Sequence, residues 1–211
     1  MKRQIVMFTG VDASNNLELW ETNGTVVGTH ELTGISGANT TGIIGGISGL
    51  IPSGLTVFNG EVLFEGADTS GNFGLWVTDG SAAGTHELTG ISNAFSSGLN
   101  PQDMTVLGQE VLFAGINANG QLGLWATSGT AASTHELTGI SGANASGIFF
   151  NTLPLNPDFT VFNGEVLFEG TDTSGNLGLW VTNGTAVGTH ELTGISGTFS
   201  SGINPSALTV F

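Results

Sequence analysis

The sequence predicts an all-β protein, and three observations carry that prediction. Apolar residues fall in short alternating runs, such as Leu55 to Phe58 and Glu61 to Glu65, bounded by Gly and Asx residues as strands and tight turns are. No long stretch repeats its apolar residues at the helical period. One unit recurs four times, as Glu18 to Ile35, Gly74 to Ile91, Gly123 to Ile140 and Gly178 to Ile195. Each copy has a Leu-Trp strand, an Asx- or Ser-Gly turn, a Gly- or Ser-Thr pair and a Thr-His-Glu-Leu-Thr-Gly-Ile strand.

The spacing of the copies selects the architecture. Successive histidines (His30, His86, His135, His190) lie 56, 49 and 55 residues apart, and counting round the chain ends gives 51. A period of about 50 with several short strands means a propeller or a β-solenoid. In the second copy, Leu55 to Phe58 is a first strand, and Asn59-Gly60 is the dipeptide that a two-residue type I′ hairpin prefers. Glu61 to Glu65 returns antiparallel, and the polar loop Asp68 to Asn72 leads to a third strand, Leu75 to Thr78. A turn over residues 79–84 leads to the fourth, Thr85 to Leu88, and a long connector (Ser92 to Asp103) follows. Four strands in a meander and a long link are one propeller blade and the passage to the next.

The ends fit the same scheme. Leu208-Thr209-Val210-Phe211 matches the first strand of a blade, and Gln4 to Phe8 matches the second. Pairing of these N- and C-terminal strands would close a ring and remove the exposed sheet edges of an open array. The expectation is a four-bladed β-propeller with four antiparallel strands per blade, one domain over 1–211. Its blades are 4–35 with 208–211, then 55–91, 104–140 and 159–195. Copies two and four match closely, and copies one and three share Ile35 to Asn39 with Ile140 to Asn144, with Trp20 to Trp125 spanning 105 residues and Trp76 to Trp180 spanning 104. Any sites should therefore come in pairs.

Composition narrows the partners. Lys+Arg number 2 against 17 Asp+Glu, a net charge of -15, and both cations (Lys2, Arg3) sit at the N-terminus. Nucleic acid and anionic membranes are excluded as partners, because both need Lys/Arg patches. There is no cysteine, hence neither disulfide nor thiol chemistry. The apolar run Ile5 to Phe8 is too short for a signal peptide and belongs to a strand of the repeat, and no stretch is long enough to span a bilayer. Export, if it occurs, uses a signal not visible here, or the chain is a piece of something longer.

The Leu-Trp-x-x-Asx-Gly-Thr-x-x-Gly-Thr core resembles the ELWxxDGT repeat family of bacterial cell-surface or secreted proteins, often labelled hyalin-like. The resemblance covers all four repeats. Glu18-Leu19-Trp20, Asn23-Gly24-Thr25 and Gly28-Thr29 keep the pattern with Asn for Asp. Leu75-Trp76 and Asp79-Gly80 keep it with Gly74 for Glu and Ser81 for Thr. The third copy has Ser128 for Asp and Ser133 for Gly, and the fourth has Gly178 for Glu and Asn183 for Asp. What the resemblance implies is a propeller-like extracellular module with no established chemistry.

Candidate sites each have a functional and a structural reading. Trp20, Trp76, Trp125 and Trp180 are either sugar-stacking platforms or fillers between blades. His30, His86, His135 and His190 are each followed by a glutamate (Glu31, Glu87, Glu136, Glu191). On an outermost strand they are too far apart for a central metal ring, whereas a His-Glu contact to a sugar hydroxyl fits. Asp68 and Asp172 open polar, Gly-containing loops and Asp12 opens the corresponding turn to Asn16; these are either calcium loops short of carboxylates or Asx turns. No cofactor is expected, calcium being the one ion the loops suggest. Nor is an enzyme expected, since repeated residues do not make the asymmetric constellation that catalysis needs. The apolar connectors, Ile43 to Ile51 and Ile148 to Leu155, either cover one end of the ring or offer a patch for self-association. The resulting expectation is a multivalent carbohydrate-binding module, extracellular or at the cell surface, with glycans as ligands. The alternative is a structural or adhesive domain with a protein partner.

Overall fold

The computed structural model describes residues 4–44, 54–150 and 157–211. The chain divides into two compact units, Met1–Thr89 and Gly90–Phe211. The first unit holds a sheet of β1 (Val6–Val11), β2 (Leu17–Thr22) and β3 (Thr29–Glu31), and a sheet of β4 (Thr56–Phe58), β5 (Glu61–Ala67), β6 (Phe73–Thr78) and β7 (His86–Glu87). The second unit repeats the four-stranded pattern twice. One sheet has β8 (Gln102–Leu107), β9 (Glu110–Ile116), β10 (Leu122–Thr127) and β11 (His135–Glu136). The other has β12 (Thr160–Phe162), β13 (Glu165–Thr171), β14 (Leu177–Thr182) and β15 (His190–Glu191). Strands follow one another in sequence order and pair antiparallel, as an up-and-down meander requires.

Local sequence explains the hairpins. Asn59 and Gly60 adopt φ of 51° and 85°, and Asn163 and Gly164 adopt 52° and 82°. Both central residues of a type I′ turn need a positive φ, which Asn and Gly tolerate. In each sheet a Phe faces the Trp of the strand that follows it: Phe8↔Trp20, Phe64↔Trp76, Phe113↔Trp125 and Phe168↔Trp180. Their ring centroids lie 6.2 to 6.5 Å apart. Two residues beyond each Phe is a glycine, and a Cβ on Gly66 would come within 2.7 Å of the Trp76 ring. The indole lies over that glycine, so the Phe-x-Gly and Leu-Trp patterns are halves of one packing unit.

Two apolar clusters follow from this. In the first unit, Leu19, Leu32, Phe64 and Trp76 bury against Ile43 and Ile44 of the connector. In the second, Leu124, Val166, Phe168 and Trp180 bury against Ile148 and Phe149. Phe149, Phe159 and Phe168 meet edge to face at 5.5 to 5.9 Å, an arrangement that aligns positive ring edges with negative faces. The beginnings of the apolar connectors therefore fill cores and are not available for self-association. Of the rest, Phe150 is exposed, while 45–51 and 151–155 lie outside the described residues.

The first sheet differs from the expected blade. It has three strands among the described residues, and residues 208–211 form none. The Leu208 N–H instead donates to the Asp158 carboxylate, and the Thr160 hydroxyl donates to the Leu208 carbonyl at 3.2 Å. Asp158 competes for the backbone that a strand pairing would use.

Candidate functional site

The repeated turn is a hydrogen-bonded device, and its geometry accounts for the sequence motif residue by residue. Threonines at the end of the third strand and the start of the fourth share a hydrogen bond: Thr22–Thr29 and Thr78–Thr85 at 2.6 Å, Thr127–Thr134 at 2.8 Å and Thr182–Thr189 at 2.7 Å. The glycine of the Asx-Gly step donates its N–H to the first threonine at 3.0 Å in every copy. The Asp79 Oδ1 accepts from the Ser81 N–H at 2.9 Å and the Ser81 hydroxyl at 2.7 Å. Asn23 and Asn183 do the same with Thr25 and Thr185. The next glycine (Gly28, Gly84, Gly188) is required because a Cβ there would overlap the Asx side chain. In the third copy Ser128 is too short to fill that space. Ser133, in place of the glycine, supplies its hydroxyl to the N–H groups of Ser128 and Thr130 at 3.2 Å.

The expected ligand residues fall into different places. Trp76, Trp125 and Trp180 are buried, with no more than 1% exposed, and Trp20 is half-buried. The first three present no face on which a sugar ring could stack. The Trp125 indole donates to the Gly115 carbonyl at 3.1 Å, whereas the indole N–H groups of Trp20, Trp76 and Trp180 are buried without a partner. All four histidines are exposed on the outermost strands. No cluster of three metal-ligating side chains exists among the described residues.

Glu87, Glu136 and Glu191 are half-buried, each carboxylate lying over a glycine (Gly74, Gly123, Gly178) whose Cβ would collide with it. The first copy has Glu18 at the place of these glycines. Burial pushes the Glu87 and Glu191 carboxyls up, and the charges of Asp68 and Asp172 add to it. Burial also raises Glu136, against which Asn117 donates its amide at 3.1 and 3.3 Å. Glu31 is likewise half-buried, beside Glu18, whose carboxyl is raised by burial while the Ile43 N–H opposes the rise.

The Asp loops are self-satisfied turns. Asp68 Oδ1 accepts from the N–H groups of Ser70 (2.8 Å) and Asn72 (2.9 Å), and Oδ2 accepts from the Asn72 amide (3.2 Å). Asp12 and Asp172 make equivalent bonds. Burial alone would raise Asp68 and Asp172, but these donors outweigh it and hold both carboxyls below the ordinary range. Oxygens engaged in this way leave few lone pairs for calcium, which takes six to eight ligands.

The asymmetric feature is one that the repeat conceals. In the third strand of each sheet the residue after Trp is Val77, Ala126 or Val181, all buried and apolar. In the first sheet it is Glu21, only 5% exposed, with the His30 Nε2 at 3.1 Å from its Oε1. Both line a cleft of about 750 Å³ within the first unit, together with Ile5, Glu31, Asp79 and Ser81. The Ser81 hydroxyl and N–H hold the Asp79 carboxyl below its ordinary range, and the nearby His86 adds to this. The cleft thus brings three carboxylates and one imidazole to a shared space. The signal was present in the sequence as Trp-Glu-Thr against Trp-Val-Thr, a departure that aligning on the shared motif passes over. A second cavity, of about 400 Å³ in the second unit, is lined by Asn117, Asn119, Gln121, Glu136 and Asn144.

Neither a protein-family model nor a curated relative matches the sequence. Among solved structures, the chain is similar to one assigned as TolB from Agrobacterium tumefaciens, with 12% identity and a TM-score of 0.51. The match covers 89% of this chain and 60% of that one. TolB from Acinetobacter baumannii matches at 13% identity and a TM-score of 0.42, over 85% of this chain and 41% of that one. At such identity the likeness concerns the fold alone. Together with the antiparallel meanders it establishes an all-β, β-propeller-like architecture.

Proposed function

We propose that this chain is a non-catalytic binding module of an extracellular or cell-surface protein, and that it holds a protein partner through basic side chains. The observation that carries this reading is the convergence of Glu21, Glu31 and Asp79 on one cleft, with Glu21 standing where the other sheets have Val or Ala. The repeat shows that the fold does not need a charge at this place, since Val77, Ala126 and Val181 fill it in the other sheets. A Lys or Arg from a partner fits the cleft, with Glu21, Glu31 and Asp79 as acceptors. In this reading residues 208–211 pair with β1 and close a four-bladed ring. The register would be Thr209 with Met7 and Val210 with Val6, by analogy with Thr56↔Leu63 and Val57↔Val62.

Arg- and Lys-rich peptides immobilised at graded salt test the partner chemistry. The expected result is retention that weakens as salt rises, reduced about tenfold or more (about 1.4 kcal/mol) in Glu21→Val. That variant takes the residue of the equivalent strand, so its fold should be kept. Equal binding by both proteins would contradict the proposal. A glycan reading is favoured by the amide- and carboxylate-lined cavity around Glu136 and Asn117, and a glycan array run with calcium and with chelator decides it. A hit abolished by Glu136→Ala would replace the protein-binding reading.

A further inference from the structure

The sequence has four Asn-x-Ser/Thr triplets, at Asn23-Gly24-Thr25, Asn39-Thr40-Thr41, Asn144-Ala145-Ser146 and Asn183-Gly184-Thr185. Such triplets are acceptors for N-linked glycosylation, which needs an exposed asparagine with a free amide nitrogen and a hydroxyl two residues on. From the structure we infer that Asn23 and Asn183 are acceptors and that Asn144 is not.

Three observations separate them. Asn23 and Asn183 lie exposed on the repeated turns between third and fourth strands. In each, Oδ1 accepts both the N–H and the hydroxyl of the following threonine, at 3.1 and 2.7 Å for Asn23 and 3.0 and 2.7 Å for Asn183. The turn therefore uses only the oxygen, and neither Nδ2 makes a hydrogen bond among the described residues. The second copy proves the point from within the chain. Asp79 makes the same turn with Ser81 and has no nitrogen, so the asparagine amide is not a requirement of the fold. Asn144 differs, because its Nδ2 donates to the Asp172 carbonyl at 3.0 Å and the residue is half-buried. Asn39 has the turn geometry, with Thr41 at 2.9 and 2.8 Å, but is half-buried and tied by its N–H to the Ala67 carbonyl. It should be a slow acceptor.

The transfer involves no oxidation or reduction. The Asn Nδ2 attacks the anomeric carbon of a diphosphate-linked glycosyl donor held by an oligosaccharyltransferase. A nitrogen–carbon bond forms, the carbon–oxygen bond to the diphosphate breaks, and the nitrogen loses one proton as the diphosphate leaves with the bonding electrons. The inference rests on the extracellular reading only for where such a donor would be met.

The test uses the folded chain, a purified oligosaccharyltransferase and a lipid-linked oligosaccharide, with intact mass and peptide mapping as readouts. Glycan should appear at Asn23 and Asn183, and Asn144 should become an acceptor only after denaturation. Asn23→Asp and Asn183→Asp should each remove one glycan while leaving the unfolding temperature unchanged, since Asp79 fills the same role. If folded protein stays unmodified while peptides spanning the same triplets react, the inference is overturned. Modification of folded Asn144 as fast as Asn23 overturns it equally. Because the reaction is run in vitro, either failure leaves the binding-module reading untouched.

Discussion

The second and third repeats build the same blade from different residues. The second holds its turn with Asp79 packed over Gly84, and the third holds it with Ser133 reaching into the space that Ser128 leaves empty. The second sets Asp68 beside Glu87, while the third sets Asn117 against Glu136 and gives Glu136 two hydrogen bonds. The second buries the Trp76 indole N–H without a partner, and the third gives the Trp125 N–H to Gly115. What persists is a volume and a set of satisfied backbone donors, and residue identity follows only where a single side chain can meet both demands.

The largest effect should come from the feature the two repeats share. Trp76→Ala and Trp125→Ala should each cost about 3–5 kcal/mol, read from denaturant midpoints, because both remove a buried indole and leave a cavity. Replacement by Phe separates them. Trp125→Phe should cost about 1 kcal/mol more than Trp76→Phe, since only Gly115 loses a donor. Equal costs would show that the indole bond in the third repeat contributes nothing.

Next in size is the exchange of turns. Gly84→Ser alone puts a side chain into Asp79 and should destabilise by about 1–3 kcal/mol, as overpacking does. Adding Asp79→Ser reproduces the third repeat and should recover most of that loss. A double-mutant cycle with no coupling would refute the compensation, because residues sharing one space should not be additive.

The smallest effect is electrostatic. Glu87 is raised by burial and by Asp68, so the folded state binds its proton more tightly than the unfolded chain. Stability should therefore rise as pH falls from neutral through the raised value towards the ordinary 4.5. Glu18, Asp103, Glu169 and Glu191, likewise raised first by burial, act in the same direction. Asp68, Asp79 and Asp172 are held low and oppose this, their stability being lost as pH falls below the ordinary 3.8. Thermal unfolding should thus be highest in mild acid and fall beyond it. Asp68→Asn, which imitates Asn117, should flatten the rise, because it removes the charge that adds to the shift of Glu87.

The strands, the hairpins at Asn59-Gly60 and Asn163-Gly164 and the four-sheet repeat were legible in the sequence, because turn chemistry and alternation are local and here are copied four times. For the tryptophans and the Asp loops the sequence left two readings open, platform or filler and calcium loop or Asx turn. Less could be read where tertiary contacts decide. The burial of Ile43, Ile44, Ile148 and Phe149 depends on a neighbouring sheet, and the run of apolar residues alone does not say whether it is covered. Residues 208–211 carry a strand sequence, but Asp158 engages their backbone. Glu21 was hidden by the alignment itself, since averaging four copies favours what they share over the single departure.

Quenching of tryptophan fluorescence by acrylamide in the unmodified protein tests most directly the claim that the repeated residues serve the fold. Most of the emission should be blue-shifted and shielded, with Trp20 supplying the one accessible fraction, and added sugars should leave it unchanged. Four tryptophans quenched as freely as the amino acid in water, or an emission shift on adding a sugar, would contradict it.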